Sequence, residues 1–161
     1  MPHTIDPARH FLRHVLATLA YRATKTLRGA PASFAAFRLD AASPAPVEIL
    51  AHMGDLLDWS LRHARGNGVW TEVPPQTWDA ECARFCASLQ ALDDFLAGPE
   101  PIACPAERLF QGPLADALTH TGQLAMLRRH AEAPISGENY FVAEISIGRL
   151  GLEQAPPVRA F

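Results

Sequence analysis

The sequence has few cysteines, no long apolar run and no excess of basic residues, and each shortage excludes a class of protein. Its three cysteines, Cys82, Cys86 and Cys104, are an odd number at no recognisable disulfide spacing, which indicates a reducing compartment. No run of about 18 apolar residues occurs, so we expect no membrane-spanning helix. With 14 basic residues against 17 acidic ones and no long basic run, nucleic acid is not expected as a main partner.

The rest of the composition is that of an ordinary globular domain. Hydrophobic residues make up 48% of the 161 residues and charged residues 19%, which favours one folded domain over residues 1–161. The first residues, MPHTIDPARHFL, do not combine a basic region with an apolar stretch, so we expect no signal peptide and a cytoplasmic protein. Seven histidines are many for this length, and histidine is the commonest metal ligand.

Apolar residues recur at helical spacing in four stretches, and no strand-like alternation is strong enough to build a sheet. Asp6-Pro7 starts the first helix, Thr77 caps the third, and Gly98-Pro99 ends it. The second helix is predicted over 47–65 and the fourth over 113–132. A short extra helix is predicted in 138–148, packed on the bundle through Tyr140, Phe141, Ile145 and Ile147. The predicted fold is an all-α four-helix bundle.

The fourth predicted helix carries an isolated acid. Asp116 is the one formally charged residue between Arg108 and Arg128, and His120 and Gln123 follow it on the same helical face. An unpaired charge in so apolar a run is costly unless it faces water or has a partner. We therefore interpret Asp116 and His120 as two ligands of one metal ion.

A third ligand is expected from the second helix. His52 lies on its apolar side, with acids on both flanks: Glu48 one turn before it and Asp55 three residues after it. A histidine there is more often a core residue, but a second acid–histidine pair elsewhere in the chain favours a ligand. Three ligands, His52, Asp116 and His120, leave open coordination positions, as in catalytic sites. Imidazole and carboxylate ligands suit Zn, Ni, Fe(II) or Mn.

Other groups in the chain have simpler interpretations. His10 and His14 are spaced i,i+4, but surface histidines beside arginines explain them more readily. Cys82 and Cys86 share that spacing, and buried packing is favoured over a thiolate site because no second pair follows. Trp70 and Trp78 could close a cavity, and packing alone explains them equally well.

The segments SPAPVEILAHMGDLLDW and LADALTHTGQLAMLRR resemble the two signature regions of the DinB-like superfamily, which includes bacillithiol- and mycothiol-linked S-transferase-type proteins. The resemblance covers roughly residues 7 to 149. It matches His52 to the family's first histidine, His120 to its last and Gln123 to the glutamine that follows, and it places Asp116 where the family has its middle histidine. It implies an up-down-down-up four-helix bundle, a divalent metal ion and, frequently, a homodimer. Because of the departure at Asp116, Asp55 or Glu48 could complete the site instead.

Three functions remain open from the sequence. The first is a metal-dependent enzyme of the thiol transferase or hydrolase type, with a low-molecular-weight thiol or water activated at the metal ion and Glu48 or Asp55 as a possible base. The second is a metal-binding stress or accessory protein without turnover. In the third, the bundle binds no metal and Asp116 pairs only with His120.

Overall fold

The structure, a computed structural model, describes residues 6–161. These residues form four long α-helices and one short α-helix. A π-helical turn, Phe110–Leu114, connects the short helix to the last long one. In chain order the α-helices are α1 (Pro7–Leu27), α2 (Pro46–Ala64), α3 (Trp78–Ala97), α4 (Ala106–Leu109) and α5 (Ala115–His130). Within residues 6–161 the only strand-like pairing is one isolated bridge, between Glu138 and Ala160. The predicted all-α class is confirmed.

The helix ends follow from the residues that precede them. The Asp6 carboxylate accepts a hydrogen bond from the Ala8 amide at 2.9 Å, and Pro7 occupies the first turn of α1, where its missing N–H costs nothing. The Thr77 hydroxyl accepts from the Ala80 amide at 3.3 Å and caps α3. Both predicted caps are confirmed.

The helices form a bundle in which α1 and α2 occupy opposite corners, because each packs against both α3 and α5. Contacts along the helices fix their directions. Arg13 near the start of α1 pairs with Asp93 near the end of α3, so these two run antiparallel. Asp55 and Asp58 of α2 contact Arg84 and Ser88 of α3 in the same order, so α2 and α3 run parallel.

The last helix completes the pattern. His52, early in α2, faces His120 in the second turn of α5, and Trp59, late in α2, shares a groove with Gln111, so these helices are antiparallel. The topology is therefore up-down-down-up. Since α2 and α3 are parallel, residues 65–77 must return along the bundle, and this return places Trp70 beside α2.

The core fills the space between the four long helices. Its largest fully buried side chains include Phe34, which comes from the α1–α2 connection, and Phe85 of α3. Arg128 of α5 is also buried, and its guanidinium donates to the carbonyl oxygens of Thr26 (2.9 Å) and Arg28 (3.1 Å) at the end of α1. No helix in the described part of the chain is long and apolar enough to cross a membrane.

Two predictions about the C-terminal third need correction. The short helical turn predicted over 105–109 is present as α4, but the helix predicted from Pro113 starts at Ala115, because Pro113 lies inside the π-helical turn. The extra helix predicted over 138–148 is wrong, because only Tyr140–Val142 forms a single 3-10 turn. Phe141, predicted to pack on the bundle, is 97% exposed. The β-branched residues Val142, Ile145 and Ile147 lower the helix propensity of this segment, so it gains too little from helical backbone bonds to extend beyond one turn.

Glu138 attaches the C-terminal segment to the bundle instead. Its carboxylate is buried and accepts hydrogen bonds from the Tyr21 hydroxyl at 2.9 Å and from the Lys25 ammonium at 2.6 Å, both on α1. Tyr140 then packs edge-on against Tyr21 and under the Arg22 guanidinium. The segment is thus held by polar contacts of a few residues rather than by a continuous apolar face.

Candidate metal centre

The structure brings the three predicted ligands together from two helices. His52 of α2 has its Nε2 3.6 Å from the Oδ2 of Asp116, and the Nδ1 of His120 is 3.5 Å from the Oδ1 of the same carboxylate. One ligand atom from each residue lies within 4.8 Å of the other two. This is the only group of three or more His, Cys, Asp or Glu side chains in residues 6–161 with such spacing.

His120 provides the most buried of the three ligand atoms. Its Nδ1 is out of contact with solvent and has no hydrogen-bond partner, although a buried polar atom normally has one. Burial lowers the pKa of His120; the charge of His52 adds to this effect, while Asp116 opposes it. The imidazole therefore favours its neutral form, which has the free electron pair that a metal ion needs.

The other two ligands are more open to water. The side chain of His52 is 38% exposed and that of Asp116 is 44% exposed. The rings of His52 and His120 are 4.8 Å apart between centroids and tilted by 33°. All three residues are of intermediate burial, so the site lies at the surface of the bundle, with one side towards solvent.

The two alternative acids are engaged elsewhere. Asp55 is 2% exposed and accepts a hydrogen bond from the Arg84 guanidinium at 2.9 Å. Glu48 accepts from the Ala45 amide at 2.6 Å and pairs with Arg38 at 2.9 Å, so it caps the start of α2. Neither carboxylate faces the site, and the suggestion that one of them completes it or acts as its base does not fit the structure.

Three further groups that the sequence singled out lie apart from the site. Gln123 is exposed on α5, one turn beyond His120. His10 and His14 are both exposed on α1. Cys82 belongs to the apolar core, and burial raises the pKa of its thiol to about 12, which disfavours a thiolate ligand.

Aromatic rings continue from the site along α2. Trp70 lies in the connection after α2, and the centroid of its ring is 5.6 Å from that of the His52 ring. The Trp70 ring also meets the Trp59 ring edge to face, with the centroids 5.5 Å apart. The Trp59 indole N–H donates to the Gly68 carbonyl oxygen at 3.0 Å and so holds the connection in place. Trp78, the other tryptophan considered for this role, packs on Phe34 instead.

An open groove of about 430 Å³ adjoins the site. It lies between α2, the π-helical turn and the start of α5, and the Asp116 carboxylate is part of its wall. π-Helical turns inside helices are frequent at functional sites. Here the turn contains Pro113, which has no N–H to donate to the backbone hydrogen bonds of an α-helix. Gln111 and Gly112 of the same turn line the groove.

The groove was not predicted from the sequence. A proline eight residues into a helical stretch is the one local signal that could have indicated a distorted turn there. Proline is common at the start of a helix, so Pro113 was predicted at a helix start and the turn was missed. The contributions of Trp59 and Gln111 depend on contacts between α2 and α5 that no local pattern specifies.

Comparison with protein-family models, with curated proteins and with solved structures finds no match to this chain.

Proposed function

We propose that the protein binds a divalent metal ion through His52, Asp116 and His120 and uses it in an enzymatic reaction on a small molecule, of the thiol transferase or hydrolase type. The observation that carries the proposal is the convergence of one ligand atom from each of the three residues within 4.8 Å, with the buried Nδ1 of His120 3.5 Å from the Asp116 carboxylate.

The donor set suits such an ion. Two ligands of one tetrahedral zinc ion are separated by about 3.3 Å, given bonds of 2.0–2.1 Å, and the carboxylate oxygens of Asp116 lie 3.6 and 3.5 Å from the nearest nitrogens of His52 and His120. Both distances are too long for good hydrogen bonds. The carboxylate thus stands between two imidazoles without bonding firmly to either, which is what ligands of a shared ion require.

Each residue has a separate part in this proposal. A divalent ion held here supplies Lewis acidity, which lowers the pKa of a thiol or water molecule that it binds. Asp116 offsets one positive charge and, as a hard ligand, favours Fe(II) and Mn more than a third histidine would. His120 anchors the site from the buried side. Trp70 lies against His52 and limits the positions that its ring can take.

The solvent-facing side favours an enzyme over a storage or accessory protein. Three protein ligands leave positions free, and the half-exposed Asp116 side chain forms part of the groove wall, so a small molecule could reach the site. Purely structural sites are instead closed by four protein ligands.

We also propose membership of the DinB-like superfamily. Its support is the up-down-down-up order of the long helices, together with the positions of His52 and His120 on facing helices. A low-molecular-weight thiol as co-substrate follows from that proposal alone.

Elemental analysis of untagged protein, combined with calorimetric titration of zinc and manganese, tests metal binding. We expect one ion per chain, with binding abolished by His120→Ala and weakened at least tenfold by His52→Ala and by Asp116→Ala. The double variant His10→Ala/His14→Ala is the matched control, because it removes an exposed pair at the same i,i+4 spacing.

Two results would contradict the proposal. One is the absence of stoichiometric binding in correctly folded protein, as judged by circular dichroism. The other is loss of binding in the His10/His14 control with retention in His120→Ala, which would place the ion on the surface of α1.

A further inference from the structure

The groove beside the site is lined by four apolar residues and three polar ones, and only one of the seven is charged. Leu56 and Trp59 line it from α2, and Gly112 and Ala115 line it from the opposite side. Its polar side chains are Gln111, Thr119 and Asp116, of which only the last is charged and already serves as a proposed ligand. No basic side chain lines the groove, so it offers no counter-ion to an anionic group.

The basic side chains that come next along the chain do not line the groove. Arg62, one turn after Trp59, donates to the Val69 carbonyl oxygen at 3.1 Å and to the Thr71 hydroxyl, and so holds the connection after α2. Arg108, one turn before Gln111, is exposed and is not part of the groove wall.

The Trp59 ring presents carbon surface rather than a donor to the groove. Its indole N–H is already bonded to the Gly68 carbonyl oxygen at 3.0 Å, so a ligand meets only the aromatic ring. Fixed aromatic surface of this kind contributes contact area at a small entropy cost. A volume of about 430 Å³ is within the range of small-molecule sites.

We propose that the groove receives the uncharged, apolar part of a small substrate whose single electron-pair donor reaches the metal site. The substrate class is therefore a neutral aryl or alkyl compound with one thiol, hydroxyl or carbonyl group, and not a polyanionic one. This inference rests on the proposed function for the donor end of the substrate, whereas the preference for an uncharged body depends on the groove alone.

Nuclear magnetic resonance of ¹⁵N-labelled, zinc-loaded protein tests the inference through the indole N–H signals. Benzyl mercaptan and 4-(mercaptomethyl)benzoate form a matched pair of probes that differ in one carboxylate. We expect benzyl mercaptan to shift the Trp59 signal with at least tenfold tighter binding than its carboxylated analogue. The Trp78 signal is the internal control, because that ring packs on Phe34 away from the groove.

Introducing a charge at Gln111, an exposed residue of the groove, gives a second test of the inference. Gln111 lines the groove and is exposed, and its side chain has no hydrogen-bond partner among residues 6–161, so its substitution should not disturb folding. We expect Gln111→Lys to reduce the preference for the neutral probe at least threefold and Gln111→Glu to increase it. Equal binding of both probes, an unmoved Trp59 signal, or insensitivity to both Gln111 variants would overturn the inference.

A second pair of probes separates this inference from the proposed function. Benzyl alcohol and 4-(hydroxymethyl)benzoate are titrated into metal-free protein in the same way. A preference for the neutral probe at Trp59 in protein that fails to bind zinc would support the uncharged body of the substrate and refute the metal site, together with the donor end that rests on it. Loss of that preference in protein that does bind zinc would refute the inference and leave the metal site intact.

Discussion

Asp116 shows how one side chain sets the chemistry of the proposed centre. It stands where the DinB-like resemblance implies a histidine, and its carboxylate has one oxygen towards each of the two imidazoles. Carboxylate oxygen is a harder ligand than imidazole nitrogen, and hard ligands suit Mn and Fe(II) better than they suit Zn or Ni. The residue therefore bears on metal preference more than on whether a metal binds.

We predict that Asp116→His shifts that preference. The variant should bind manganese at least tenfold more weakly while zinc affinity stays within about threefold, because a neutral imidazole replaces the one anionic ligand. Competition against a fluorescent chelator measures both affinities. Asp116→Asn is the control for charge, and equal losses for both metals in Asp116→His would contradict the prediction.

A second prediction at the scale of residues concerns Tyr21 and the stability of the folded protein at alkaline pH. Burial, and then its hydrogen bond to Glu138, raises the pKa of Tyr21 to about 12. An unfolded tyrosine loses its proton near pH 10, so between pH 10 and 12 the folded state holds a proton that the unfolded state has released. Stability must fall as pH rises through this window, by at most about 1.4 kcal/mol per pH unit from this group.

Tyr21→Phe should remove that component. We expect urea unfolding to show a less stable variant at pH 8, where the bond to buried Glu138 is missing, and a smaller loss of stability between pH 10 and 12. Cys82 also has a pKa raised by burial to about 12 and acts in the same direction. Both proteins should therefore carry Cys82→Ala, and identical pH slopes would contradict the assignment to Tyr21.

At the scale of elements, local signals predicted those parts of the fold that depend on neighbouring residues. Asp6-Pro7 and Thr77 are caps whose partners lie within three residues, and both were confirmed. The segment after Gly137 was predicted wrongly because it is held by the distant pair Tyr21 and Lys25, through Glu138. Sequence periodicity contains no information on such contacts.

The connection after α2 depends on a glycine that has no room for a side chain. A Cβ added at Gly68 would overlap the His63 ring, and the Gly68 carbonyl oxygen accepts the Trp59 indole hydrogen bond. We predict that Gly68→Ala costs about 1–3 kcal/mol through overpacking and displaces Trp70 from His52. Urea unfolding and tryptophan fluorescence measure the two effects.

A double-mutant cycle separates the overlap from other causes. If the Gly68→Ala methyl group acts through the His63 ring, then His63→Ala should relieve most of its cost, and the two substitutions will be strongly non-additive. Additive costs would show that the alanine acts on the connection by another route.

At the scale of the whole molecule, the site depends on the pairing of two helices that are far apart in sequence. His52 and His120 could be proposed as ligands because each lies on an apolar face beside an acid. Which acid joins them could not be decided locally, since Glu48, Asp55 and Asp116 were all suitable by spacing. The packing of α2 against α3 favours Asp116 over Asp55, because the Asp55 carboxylate is bonded to Arg84 of α3. Glu48 is also a poor candidate for the third ligand, because its carboxylate caps the start of α2.

Because the proposed ion would connect α2 to α5, its binding should stabilise the entire bundle. A ligand at one hundred times its Kd adds about 2.7 kcal/mol to the free energy of unfolding, and a domain of this size gains roughly 2–4 °C in Tm per kcal/mol. We therefore predict that saturating zinc raises Tm by about 5–11 °C in calorimetry. His120→Ala should abolish the rise, His52→Ala should reduce it by about half or more because its binding is at least tenfold weaker, and the His10→Ala/His14→Ala control should retain it. An undiminished rise in His52→Ala would mean that the ion binds to α5 alone and does not hold the two helices together.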